Sequence, residues 1–191
     1  MVNIQIILAV LSSVVGIVCF VPYIRDIFRH TTKPHSYTWL IWAILQSIAA
    51  AAMWSEGAGI AIASSSIGAV LCAFVFLLSL KYGTKDIKPF DSVCLAGALL
   101  ALSAYLFLHD ALLSIILVTL IDFTAFLPTL RKTFIEPETE TASTHLLSGA
   151  SNALAIGALA SFNLTTLIYL PAIMTMDFIL GALVLIRKKQ L

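Results

Sequence analysis

Charge is scarce in this chain. Only 11% of its 191 residues are Asp, Glu, Lys or Arg, against roughly 25% in soluble domains. That is too little polar surface to face water, so a soluble globular domain is excluded. The formal net charge of +1 by itself says nothing about a nucleic-acid partner, and none is expected of a membrane-embedded chain. Cysteine is scarce as well. Cys19, Cys72 and Cys94 each sit inside an apolar run without metal-ligand spacing, and they read as small packing residues. His30, His35, His109 and His145 show no metal spacing either. There is no nucleophile triad, no Gly-rich phosphate loop and no redox motif. The expectation is therefore a non-enzyme with no catalytic residue, no cofactor and no metal. The last apolar run contains no lysine, which excludes a retinal Schiff base there. The N-terminus lacks a basic n-region, and its apolar run is too long for an h-region, so a retained first helix is expected.

What is present is apolar: 60% hydrophobic residues and a mean hydropathy of +1.02. A spanning helix needs about 20 mostly apolar residues. Seven runs qualify: Ile4 to Phe28, Tyr37 to Trp54, Gly59 to Tyr82, Ser92 to Leu108, Ala111 to Leu130, Ala142 to Phe162, and Thr165 to Ile186. The basic residues orient them. Arg25, Arg29 and Lys33 follow the first run; Lys81, Lys85 and Lys88 flank the gap after the third; Arg131 and Lys132 follow the fifth; Arg187, Lys188 and Lys189 follow the seventh. With seven spans, all 11 Lys and Arg fall on one side. That side is read as cytoplasm, which puts the N-terminus out and the C-terminus in. The expected localisation is a multi-pass integral membrane protein of the plasma (inner) membrane, with lipid around it.

Val21 to Gln46 (VPYIRDIFRHTTKPHSYTWLIWAILQ) is echoed without a gap by Leu127 to Asn152 (LPTLRKTFIEPETETASTHLLSGASN). Pro22 meets Pro128, Arg25 meets Arg131, Phe28 meets Phe134, Thr38 meets Thr144, Leu40 meets Leu146 and Gln46 meets Asn152, each pair 106 positions apart. A fixed offset marks internal duplication. The expected fold is all-α: two parallel repeats of three helices with one helix between, a 3+1+3 arrangement. Residues 1–90 form the first repeat, 91–109 the linker helix and 110–191 the second repeat.

Two such repeats, N-out and C-in, with a proline near the cytoplasmic end of each first helix, resemble the SWEET and PQ-loop transporters. The motif rests on Pro22-Tyr23 and Pro128-Thr129 with the basic residues that follow; the PQ-loop branch has Gln after each proline. The resemblance implies a carrier of a small polar solute such as a sugar, amino acid, amine or vitamin. A receptor of the same fold, like the related KDEL receptors, is the competing reading. Two repeats suffice for one pathway in a monomer, and a homo-oligomer is compatible with them.

At helical periodicity, His145, Ser148, Gly149 and Asn152 share one face, and Trp39, Trp42, Ala43 and Gln46 share the equivalent face. Small and amide residues also knit membrane helices together, so packing remains open for Ser148 and Gly149. Gln46 and Asn152, equivalent and near mid-helix, read as solute contacts. Trp39 and Trp54, at span ends, read as an interfacial belt. Trp42 is one turn deeper and reads as a stacking wall, with belt or packing the alternatives. Asp122 precedes Arg131 by nine positions, and Asp177 precedes Arg187 by ten. Both therefore sit roughly 14 Å from the basic belt, near mid-bilayer. An acid there costs at least about 2.5 kcal/mol and is functional by default. The pair reads as a solute and proton-coupling site, the alternative being a protonated Asp bonded to a neighbouring helix. Thr119 and Thr129 read as part of the same inward stripe. Gly16 and Leu71 stand where the second repeat has Asp122 and Asp177, so the halves differ chemically.

Pro22, Pro128 and Pro171 interrupt the first, fifth and seventh helices and read as hinges or static kinks. The acidic stretch Glu136 to Glu140 reads as a solvated loop.

Overall fold

The computed structural model describes residues 4–84, 88–108 and 110–190. Lys85 and His109 lie outside them. Among the described residues the fold is all helical: α1 (Ile4–Val18), α2 (Phe20–Phe28), α3 (Ser36–Ser55), α4 (Ile62–Tyr82), α5 (Pro89–Leu108), α6 (Ala111–Ile135), α7 (Ala142–Gly157) and α8 (Leu164–Gln190). Six segments are long and apolar enough to cross a membrane: 4–28, 36–55, 59–82, 89–107, 111–135 and 164–190. Exposure is inverted relative to a soluble protein. Phe107, Leu100 and Val70 are at least 70% exposed. Asp122, Asp177, His145 and Ser12 are buried. Apolar groups outside and hydrogen-bonded polar groups inside are what hydrocarbon requires. The chain is a multi-pass membrane protein.

The first expected helix spans Ile4–Phe28 as one membrane-length segment, interrupted only at Cys19. α1 ends at Val18 and α2 begins at Phe20, because Pro22 clashes with the Val18 carbonyl and cannot bond it. Pro128 leaves α6 continuous. The Thr124 carbonyl that it frees accepts from Cys94 Sγ of α5 at 3.7 Å. Pro171 likewise sits inside continuous α8. The sixth expected helix is shorter than the sequence suggested. α7 stops at Gly157, not Phe162. The chain turns there: the Ala160 amide donates to the Ala58 carbonyl at 3.2 Å. The Asn163 side chain then accepts from the Thr166 amide at 3.0 Å to start α8. At 1.5 Å per residue, α7 measures about 24 Å, short of a full hydrocarbon thickness.

Neighbour relations form a closed ring. α1 packs against α4, α4 against α3, α3 against α6, α6 against α8, α8 against α7, and α7 against α1. α5 lies outside the ring against α3 and α6. His35 helps anchor it. Its Nδ1 accepts from the Thr38 amide at 3.4 Å, capping α3, so Nε2 carries the proton toward Asp91 Oδ2 of α5, 3.1 Å away. Burial lowers the His35 pKa, against the pull of Asp91.

α7 and α8 approach closely through glycine. A Cβ at Gly181 would sit 2.8 Å from the Leu146 side chain and 3.2 Å from its backbone nitrogen. Overpacking of this kind costs about 1–3 kcal/mol. Gly181→Ala is expected to lower the melting temperature in detergent, whereas Ala substitution of the exposed Leu100 leaves it unchanged.

Candidate functional site

One cavity occupies the middle of the ring. Its volume is about 60 Å³, space for a few water molecules. Asp122, Asp177, Asn152, Gln46, Trp42 and Ser148 all line it. The sequence had singled these residues out by helical periodicity, by the 106-residue offset and by distance from the basic belt, and the fold brings α3, α6, α7 and α8 together around one space.

Asp177 is held by a single face of α7. Ser148 Oγ donates to its Oδ2 at 2.6 Å and Asn152 Nδ2 at 3.4 Å. His145 Nδ1 lies 3.5 Å from its Oδ1. Positions 145, 148 and 152 are one, two and three turns of the same stripe, so one helix face grips the whole carboxylate. Across the cavity Gln46 donates to Cys72 Sγ at 3.2 Å. Gly68 makes that pose fit, because a Cβ there would run into Gln46 Oε1.

Asp122 is different. It is 1% exposed, and its Oδ1 has no hydrogen-bond partner. Trp42 Nε1 and Tyr169 Oη are donors aimed at its carboxylate, outside normal hydrogen-bond geometry. Six buried side-chain polar atoms lack a partner among the described residues, and five belong to cavity residues: Trp42, Asp122, Thr144, His145 and Tyr169. Buried polar groups are normally satisfied, and exceptions call for a functional account. Those of Trp42, Asp122 and Tyr169 cluster at the cavity, whereas His145 Nε2 is turned toward Glu140.

Trp42 packs its ring against Phe126 at 4.8 Å and Trp39 at 5.0 Å between centroids. Trp39 is not part of an interfacial belt. It is 4% exposed, lines the cavity and donates from Nε1 to Tyr23 Oη at 3.2 Å. The helix start at Ser36 puts it a full turn inside, where it needs a polar partner for its indole N–H. Trp54 is 65% exposed at the end of α3. Thr119 does not line the cavity; its hydroxyl bonds back to the Ile115 carbonyl at 2.7 Å. Thr129 is buried and donates to Thr38 at 3.3 Å. Pro22, Pro128 and Pro171 lie outside the cavity lining.

The acidic stretch is not wholly solvated. Glu136 and Glu138 are outward, but Glu140 is 2% exposed. Lys132 reaches it from α6: Nζ donates to Glu140 Oε2 at 2.7 Å, to the Lys33 carbonyl at 2.7 Å and to the Thr139 carbonyl at 3.1 Å. All three ammonium protons are thereby used. The Glu140 Oε1 lies 3.5 Å from His145 Nε2. The result is a buried succession, Lys132, Glu140, His145, Asp177, running from the loop to the cavity. Sequence reasoning missed it because the pairing is between a helix end and a loop eight positions on. The only hint was Glu140 standing five residues before His145 in an otherwise uncharged helix start.

Burial alone would raise the Glu140 carboxyl, but the Lys132 charge and the His145 contact outweigh it and hold it near 2, below the usual 4.5. The folded value is the depressed one. The pair therefore stabilises the fold above about pH 4.5, and that contribution is lost as pH falls toward 2. Glu140→Gln leaves Lys132 buried without a counter-charge and is expected to cost about 3–5 kcal/mol at neutral pH. The gap to the parent should close as the solution is acidified through that window. Denaturation curves in detergent across pH provide the check, with Lys132→Met/Glu140→Leu expected to recover most of the loss.

No family model, curated protein or solved structure matches the chain.

Proposed function

We propose that this protein is an alternating-access carrier of a small polar solute, of the SWEET and PQ-loop type. The observation that carries the reading is one mid-bundle cavity lined by two buried acids together with Trp42, Thr144 and Tyr169, each of which has an unpartnered polar atom. A bundle built only for packing would satisfy those groups or omit them.

The closures at the two ends of the bundle support movement around that cavity. At one end Asp26 Oδ2 accepts from Thr141 Oγ1 at 3.1 Å, Thr32 and Thr141 share a 2.7 Å hydrogen bond, and Lys132 binds the Lys33 carbonyl. At the other end the Ala160 amide holds the Ala58 carbonyl, and Asn163 Nδ2 reaches the Glu56 carbonyl at 3.3 Å. Each closure joins residues 1–90 to residues 110–191 through a few polar contacts. Rocking of one half on the other would release one end while keeping the other.

The ring order fits two parallel repeats about an axis along the membrane normal. Exchanging α1 with α6, α3 with α7 and α4 with α8 leaves the neighbour order unchanged. In this reading the linker is α5, the N-terminus is outside, and the basic end faces the cytoplasm of a plasma membrane. Pro22 and Pro128 serve as hinges beside the basic-side closure, and Pro171 as a flexible point near Tyr169. Asp122, Asp177, Asn152, Gln46, Trp42 and Ser148 contact the solute, and the acids couple its movement to protons.

The competing class, a receptor of the same fold, binds without moving its ligand. The two are separated by reconstituting the purified chain in liposomes with a panel of labelled sugars, amino acids and amines. The carrier is expected to show saturable counterflow that Asp122→Asn and Asp177→Asn reduce at least about tenfold, a loss of about 1.4 kcal/mol or more. Saturable binding with no flux for any solute would overturn the carrier.

A further inference from the structure

The charges around the cavity are unevenly paired, and the imbalance points to what the cavity takes. Lys132 and Glu140 form one pair at 2.7 Å. Both ring nitrogens of His145 lie 3.5 Å from a carboxylate oxygen, Nε2 from Glu140 and Nδ1 from Asp177. A neutral imidazole would turn a lone pair toward one of these acids; an imidazolium offers a donor to each. With His145 as the imidazolium, cations and anions alternate along Lys132, Glu140, His145 and Asp177, and the succession closes to zero.

Asp122 stands outside it. α8 faces it with Asp177 and Tyr169, α3 with Trp42, and α4 with Cys72. His145 on α7 is already committed to Glu140 and Asp177, and on α5 Asp91 and Cys94 bond elsewhere while Tyr105 does not line the cavity. Among the described residues no Lys or Arg lines the cavity. An isolated carboxylate in a low-dielectric site costs several kcal/mol and does not persist alone. One positive charge must accompany it.

We infer that Asp122 is an exchange site for a single positive charge, occupied in turn by a proton and by the ammonium group of a small organic amine. This rests on the carrier reading and names its substrate class. The unpartnered Oδ1 is the acceptor for an ammonium N–H. Trp42 and Phe126 supply the aromatic surface on which a cation settles. The cavity of about 60 Å³ suits a primary-amine head group, while a monosaccharide needs it to widen. The exchange balances: the carboxylic acid of Asp122 releases its proton, the carboxylate receives the alkylammonium, and the charge of the site is the same before and after. The two cations share one seat, so they move in opposite directions across the membrane.

Titration calorimetry of the purified full chain with methylammonium tests this, run in two buffers of different ionisation enthalpy. One proton released per amine bound is expected. Apparent affinity should rise about tenfold per pH unit while Asp122 is protonated in the free protein. Asp122→Asn should abolish both binding and release. Asp122→Glu, which keeps the acid, should restore proton release and so separates loss of the site from loss of the fold. Methylammonium binding without proton release would overturn the inference, as would displacement of the proton by sodium just as readily. A neutral sugar carried with no proton moving leaves the carrier standing and overturns this inference. One proton released per methylammonium bound, with no flux of any solute, sustains the exchange site and overturns the carrier.

Discussion

A carboxylate inside an apolar bundle has to be answered. Hydrocarbon cannot solvate it, so the protein must supply donors, a counter-charge or a proton. The bundle answers its two mid-depth acids in different ways. Asp177 receives Ser148, Asn152 and His145 from one stripe of α7. Asp122 receives no hydrogen bond to its Oδ1. Much of the remaining architecture follows from that difference. α7 must lie against α8 closely enough to grip Asp177, and Gly149 and Gly181 permit the approach. His145 must be balanced on its far side, and Glu140 does so, held in turn by Lys132.

The chain of buried charges also joins the cavity to the loop end. Lys132 binds the loop before α3, Glu140 precedes α7, and Asp177 belongs to α8. A change of charge at the cavity therefore bears on contacts that close the basic end. The first half carries no counterpart: Gly16 and Leu71 occupy the positions equivalent to the two acids. Gly16 instead faces Ser151 across the α1–α7 contact, where a Cβ would meet Ser151 Oγ at 3.0 Å.

Much of this was legible in the amino-acid sequence. Composition and run length are enough to place a chain in a bilayer, because backbone polar groups leave helices as the economical way across. Helical periodicity put His145, Ser148 and Asn152 on one stripe, and in the fold that stripe faces Asp177. Such inferences work because the α-helix has a fixed rise and twist. Trp39 was misread for a related reason. Its depth depends on where α3 begins and which neighbour covers that end, and Tyr23 comes from a different helix.

The sequence by itself determined a membrane-embedded, all-helical chain and the one helix face that His145, Ser148 and Asn152 share. These follow from local geometry and from the cost of polar groups in lipid. Only the tertiary structure decided which acid is satisfied and which is not. Partnering depends on atoms from separate helices meeting within about 3 Å, and no periodicity encodes that. Glu140 shows the point: in the sequence it closes an acidic loop, and in the folded protein it is a buried anion between Lys132 and His145.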